Sequence, residues 1–188
     1  MYYAFPEVCA DLYIQNPVNA LSVADIKRIY KGKVKNWLLL GGNLTPIRAY
    51  QYFYHSPEQA WLLGFMEGSP LIPAISERIV PSMSYYRQTC LYKNDKGGLG
   101  FGYRNNLIDG INANEIKLLS IGTEEPSREN IVYGAYPLVQ AIYAVTVSRK
   151  PVTEESRLRQ ENTEYLIEWL LSDQGQSLVE AAVYARMK

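Results

Sequence analysis

Histidine and cysteine are nearly absent from this chain. His55 is the only imidazole in 188 residues, and the thiols are limited to Cys9 and Cys90. One His and two distant Cys, in no metal-type spacing, argue against a zinc site. Two buried free thiols are expected rather than a disulfide, and no metal or other cofactor is implied. Charge of one sign is lacking as well: 19 Lys+Arg against 19 Asp+Glu leave a net charge of zero. That removes the usual electrostatic handle for nucleic acid or an anionic membrane surface, so no nucleic-acid partner is expected. No apolar run is long enough to span a bilayer, because Gly, Pro or charge interrupts each one. Met1–Glu7 has neither a basic stretch nor an apolar h-region, so no signal sequence is expected in this chain. Phenylalanine is scarce, at 4 residues against 16 Tyr. A tyrosine surplus suits a wet cleft, and equally a core with tyrosine rims. What is present in quantity is apolar material, 47% of residues, enough for a well-formed core. The length allows one compact domain, or a lobe and a half of something two-lobed.

Local patterns alternate between strand and helix. Residues 8–14 read as a strand closed by Asn16-Pro17. Ser22 with Asp25 three residues on approximates a capping box, Ile26, Ile29 and Tyr30 give the stripe of a helix over 23–31, and Gly32 ends it. Lys33–Gly42 is a turn region holding Trp37, and Pro46–Tyr50 a short strand. Ser56-Pro57-Glu58 starts a second helix: Ser caps, Pro sits in the first turn and Glu complements the dipole. Trp61, Leu62, Phe65 and Met66 form its buried face, and Gly68 stops it. The pattern then predicts a strand over 76–80, a helix from Pro81-Ser82 to about Lys93, and a turn over 94–98. Strands are predicted over 99–103 and 116–121, and a helical turn over 126–131. Tyr136–Val147 is the longest β-like run. A helix follows Pro151 and Thr153, with Leu158, Tyr165, Leu166, Trp169 and Leu170 at helical spacing, and Ser172-Asp173 restarts it. The alternation indicates an α/β fold with a mainly parallel or mixed sheet.

Catalytic patterns are thin. His55 has no partner that sequence identifies and fits a polar residue ahead of a helix cap. Gly97-Gly98-Leu99-Gly100-Phe101-Gly102 fails the dinucleotide-loop spacing and fits a strand approached closely by another backbone. No pair of carboxylates is singled out for acid–base work. No catalytic residue is assigned, and an enzyme is not expected. The helix beginning at Ser56 is the most informative feature, since its unsatisfied N–H groups and dipole make an anion site where that end faces a cleft.

Longer segments carry a resemblance. Leu21-Ser22-Val23-Ala24-Asp25-Ile26-Lys27-Arg28-Ile29-Tyr30-Lys31-Gly32-Lys33-Val34-Lys35-Asn36-Trp37 resembles the L-S-x-x-x-I-x-x-I-Y-x-G-K-I-x-N-W segment of phosphate-binding-protein-like solute receptors, the extracytoplasmic receptors of phosphate ABC importers. Asn16-Pro17-Val18 fits just before it. Pro46–Met66 is similar to that family's strand, ligand loop and helix, and Leu99-Gly100-Phe101-Gly102-Tyr103 to its G-I-G-Y strand. Glu125–Leu138 resembles x-P-T-x-E-N-I-x-x-G-x-Y-P-L, and Glu168–Gln176 resembles x-W-x-L-S-x-E-G-Q.

The resemblance implies a periplasmic-binding-protein-like (type 2) fold: two α/β lobes joined by crossover strands, with ligand between them. Residues 1–132 would form the second lobe, a mixed sheet flanked by helices. Residues 133–188 would hold a crossover strand and the C-terminal helices of a partial first lobe, with no counterpart of the family's opening segment. The implied function is non-enzymatic solute binding outside the cytoplasm, in the periplasm or as a cell-surface lipoprotein. The implied partners are a small-molecule ligand and the membrane subunits of an ABC importer. The alternative is a degenerate lobe acting as a sensory or protein-interaction module, and a lobe lacking its complement would form a homo-oligomer. In the family's phosphate loop an Arg, an acid and Ser-Gly-Thr/Ser hold the anion. At the matching positions this chain has Tyr52, Tyr54 and Ser56-Pro57-Glu58, so only Ser56 is retained. Gln51, Tyr52, Tyr54, His55, Ser56 and Glu58 are therefore the expected ligand-binding residues, with phosphate disfavoured. In an extended loop Tyr50, Tyr52 and Tyr54 would point one way, either toward a sugar, peptide or cation or into a closed interface.

Overall fold

The computed structural model describes residues 2–4, 8–13, 15–75, 96–103, 116–139, 142–147 and 150–182. The strand expected over 76–80, the helix over 81–93, the first part of the turn over 94–98, Cys90 and the Cys9 side chain lie outside the described residues.

The chain begins with β1 (Tyr2–Ala4) and β2 (Val8–Tyr13), then β3 (Ala20–Leu21) and α1 (Val23–Tyr30). The capping box at the start of α1 is formed: the Asp25 N–H donates to Ser22 Oγ at 3.0 Å and the Ser22 N–H donates to Asp25 Oδ2 at 3.4 Å. Ile26, Ile29 and Tyr30 are buried along one face, as the 3.6-residue period requires. Lys31 and Gly32 end the helix, Gly32 at φ +69°. A 3-10 turn, Trp37–Leu40, follows and buries Trp37 completely. Next come β4 (Arg48–Ala49), α2 (Pro57–Phe65) and β5 (Gly98–Tyr103).

Strand order in the main sheet is β4-β5-β2-β6, with β6 at Ile116–Leu118. β5 and β6 both run antiparallel to β2, and β4 runs parallel to β5, so the sheet is mixed. Gly97 leads into β5, its carbonyl accepting from Trp37 Nε1 at 3.0 Å and from the Arg48 N–H at 2.9 Å. A Cβ at Gly97 would overlap the Pro46 carbonyl, so a close backbone approach fixes glycine there. The expected strand over 116–121 divides. Leu119 interrupts it, and β7 (Ser120–Ile121) leaves the main sheet to pair in parallel with β3. The side chain of Lys117 ties the two regions by donating to the Asn16 carbonyl and to Asn19 Oδ1, and burial pulls its pKa below the usual lysine range.

α3 (Arg128–Val132) follows with Ser127 as its cap. The long strand expected over 136–147 is mostly something else. Tyr136 and Leu138 are core side chains, the Tyr136 hydroxyl donating to the Leu119 carbonyl at 3.3 Å. Only β8 (Ile142–Ala144) is strand among the described residues, and it pairs antiparallel with β1 in a separate two-stranded sheet. β propensity marked a buried apolar run without saying whether a partner strand would lie beside it. α4 (Glu154–Leu171) and α5 (Asp173–Ala181) close the chain, Ser172 serving as C-cap of one and N-cap of the other.

One core joins α1, the 3-10 turn, α2 and the main sheet to α3 and the Tyr136–Leu138 segment. α4 differs. Ile167 is its one buried residue, and Leu158, Tyr165 and Leu166 of its apolar spacing are exposed.

Candidate functional site

The loop between β4 and α2 carries five of the six expected ligand-binding residues and the first turn of α2 the sixth, Glu58, and the structure sorts them into two groups. Its first half continues the edge of β5: the Tyr50 N–H donates to the Leu99 carbonyl at 2.9 Å, and the Tyr30 hydroxyl donates to the Tyr50 carbonyl at 3.0 Å. Gln51 and Tyr52 are buried. The Tyr52 ring packs edge-on against Phe101 with centroids 5.2 Å apart. A turn at Tyr54-His55 then brings the second half to the surface, with Tyr54 and His55 exposed and set edge to face at 5.1 Å. The expected one-sided display of Tyr50, Tyr52 and Tyr54 is thus not what forms. Tyr50 and Tyr52 face the core and Tyr54 faces solvent, because the chain leaves its extended path before Tyr54.

Sequence reasoning missed Gln59. It is buried at the third position of α2, and its side chain reaches back along the loop. Its Oε1 accepts from the Tyr52 N–H at 2.9 Å and its Nε2 donates to Gln51 Oε1 at 3.1 Å. Gln51 Nε2 in turn donates to the Ile72 carbonyl at 2.8 Å. This amide relay holds the loop against the helix. The Ser56-Pro57-Glu58-Gln59 spacing is that of a capping box, the one available signal, but a capping box would send Gln59 to the Ser56 N–H. That N–H donates instead to the Phe53 carbonyl at 3.0 Å.

The helix tip can be counted amide by amide. Ser56 is the cap, its Oγ accepting from the Gln59 N–H at 3.1 Å, and the Ala60 N–H donates to the Ser56 carbonyl at 3.0 Å. Pro57 has no N–H. Among the first-turn amides only the Glu58 N–H is left for a ligand, and it sits on the residue that brings a carboxylate to the same place. Tyr54 and His55 flank this tip, and Ser56 and Glu58 are half-buried in it. The surface offered is a phenol, an imidazole, a hydroxyl, one amide and one negative charge.

Among the described residues no group of three or more His, Cys, Asp or Glu is placed to hold a metal ion. No helix among them is long and apolar enough to cross a membrane.

Residues 8–174 match the family described as the PBP superfamily domain. Among solved structures the chain is similar to an ABC-type phosphate transport receptor from Vibrio cholerae, with a TM-score of 0.71 and 21% identity over 96% of this chain and 69% of that one. It is likewise similar to PstS from Borrelia burgdorferi, with a TM-score of 0.71 and 15% identity over 100% of this chain and 72% of that one. At such identities the likeness is one of fold. No curated protein sequence matches.

Proposed function

The chain belongs to the PBP superfamily, and from that premise we propose that it is a non-enzymatic solute-binding domain working outside the cytoplasm with the membrane subunits of an ABC importer. In this reading residues 1–132 are the second lobe of a two-lobed receptor. Residues 133–188 return through β8 to the first lobe and supply its last helices. The ligand meets the tip of α2 at Tyr54, His55, Ser56 and Glu58, while Gln51 and Tyr52 fix the loop from beneath.

The tip favours a neutral or cationic solute over phosphate. The observation that carries this is the amide count: of the first-turn N–H groups only that of Glu58, itself an acidic residue, is not spent on a bond within the helix cap. At about 4 Å and a surface-like effective dielectric, one carboxylate repels one negative charge by roughly 1–4 kcal/mol, and a dianion by about twice that. A single remaining amide bond, worth about 1.5–3 kcal/mol to a charged acceptor, does not offset it. A phenol beside an imidazole instead offers flat faces with polar rims, as sugars or organic cations require.

The test is calorimetric titration with inorganic phosphate, alongside thermal melts in millimolar phosphate. No binding heat and an unmoved melting temperature are expected. A micromolar dissociation constant for phosphate would refute the reading.

A further inference from the structure

Charge balances over the whole chain but not around α1. Residues 26–57 hold Lys27, Arg28, Lys31, Lys33, Lys35 and Arg48 and no Asp or Glu. Lys27 is paired with Glu67 at 2.9 Å and Arg28 with Asp25 at 3.1 Å. Lys31, Lys33 and Lys35 are exposed and form no ion pair among the described residues. Lys33 and Lys35 stand on either side of buried Val34.

Directly after these lysines the chain folds back on itself. The Ile47 N–H donates to the Lys35 carbonyl at 2.9 Å and the Trp37 N–H to the Thr45 carbonyl at 3.0 Å, which leaves residues 38–44 as the tip. Trp37 is fully buried and its Nε1 donates to the Gly97 carbonyl, so the base of the tip is pinned to the core. Leu38, Leu39 and Leu44 are 56%, 67% and 78% exposed. The turn spends its own amides. The Leu38 N–H donates to Asn36 Oδ1 at 3.0 Å. The Leu39 N–H donates to the Asn36 carbonyl at 3.2 Å, the Gly41 N–H to the Leu38 carbonyl at 3.3 Å and the Gly42 N–H to the Trp37 carbonyl at 2.9 Å. A turn whose N–H groups are already bonded loses little on leaving water.

We propose that this tip is a membrane-contact site: Leu38, Leu39 and Leu44 enter the headgroup layer of an anionic bilayer, and Lys31, Lys33 and Lys35 sit against its phosphates. Charge complementarity names the occupant. Anionic lipid attracts basic side chains that come within a Debye length of its surface, and leucine side chains gain by passing from water to the acyl boundary. Lysine stems lie along that apolar layer while their ammonium groups stay among the headgroups. A protein partner would need a hollow shaped to three separate leucines, and a bilayer needs none. The first lobe of a two-lobed receptor does not compete for this surface. The leucine tip precedes β4 and the ligand loop follows it, so the two lie at opposite ends of that strand. A lobe closing over the start of α2 leaves the leucines open. The contact goes beyond the solute reading and does not depend on which solute α2 takes.

Co-sedimentation with lipid vesicles gives the answer, with phosphatidylglycerol and phosphatidylcholine in equal parts set against phosphatidylcholine alone. The chain is expected to bind the mixed vesicles at least about tenfold more tightly, and to release them in about 1 M salt, where the screening length falls to about 3 Å. Leu38→Ser with Leu39→Ser, and separately Lys33→Glu with Lys35→Glu, are each expected to weaken binding at least about tenfold. All four positions are exposed, and an unchanged melting temperature checks that each variant folds. No binding to the mixed vesicles overturns the proposal. Binding that the leucine pair leaves unchanged overturns it in favour of a purely electrostatic contact, and binding that the lysine pair leaves unchanged overturns it in favour of another face. A chain that ignores bare vesicles and binds only those carrying the importer's membrane subunits overturns it in favour of a protein partner.

Discussion

Both polar atoms of the Gln59 side chain bond groups of the buried loop that precedes its helix. Its Oε1 serves the Tyr52 N–H and its Nε2 serves Gln51 Oε1, and all three residues are buried. Gln59→Leu keeps the volume and strands both partners. Leaving a buried donor or acceptor unmet costs about 1–3 kcal/mol each, so the expected loss in urea denaturation is about 2–6 kcal/mol. A change below about 0.5 kcal/mol, the scatter of ordinary surface substitutions, would mean water replaces the relay. The case also marks how far the sequence could be read at this scale. Ser22, Ser56, Thr153 and Ser172 were legible as caps or helix starts because a cap bonds an amide two or three residues away. The burial of Gln51, Tyr52 and Gln59 was not, because it depends on Phe101 and Ile72, brought close only by the fold. Tyr54, His55, Ser56 and Glu58 were placed in the candidate site from residue matching, and what each offers a ligand became clear only from the count of spent amides.

Elements divide along the same line. The starts of the described helices were legible to within a residue or two, since period and cap are local, and the end of α2 at Phe65 comes a little before the expected stop at Gly68. The strands were legible as apolar runs but not as partners. Ile116–Ile121 serves two sheets, and only three residues of the run from Tyr136 form β8 among the described residues. What decides pairing is visible at Gly97, where the start of β5 presses on the segment leading into β4. The missing side chain there leaves room for the Pro46 carbonyl, and the Gly97 carbonyl serves both Trp37 and Arg48. Gly97→Ala must part these backbones or lose the bonds. Overpacking of this kind costs about 1–3 kcal/mol, to which the strained Trp37 bond adds. The variant is expected to melt well below the parent, with Trp37 fluorescence shifted toward that of an exposed indole. An unchanged emission maximum and melting temperature would show that β4 can move away at no cost.

For the molecule as a whole, the decisive contrast among the described residues is between a part packed round a shared core and a part that buries little. Residues 15–139, where described, surround the main sheet with buried Ile29, Tyr30, Trp37, Leu62, Leu99 and Leu119. Burial of such side chains contributes about 1.5–3 kcal/mol each. In α4 only Ile167 is buried. This helix is held by local means: the Thr153–Ser156 capping box and the pairs Arg157–Glu154, Arg157–Glu161 and Arg159–Glu155. Such pairs contribute about 0.2–0.5 kcal/mol apiece, and helices draw most of their stability from packing. Arg128–Glu180, at 3.3 Å and partly exposed, joins α3 to α5 but is worth at most about 1 kcal/mol. The C-terminal helices should therefore open without the rest. The central amides of α1 and β5 are expected to exchange at the rate of global unfolding. Those of α4 should exchange at least about a hundredfold faster, the mark of a separate cooperative unit. Equal protection in α4 and β5 would show instead that α4 is bound into the same cooperative core, and that its exposed leucines and tyrosine are no measure of its stability.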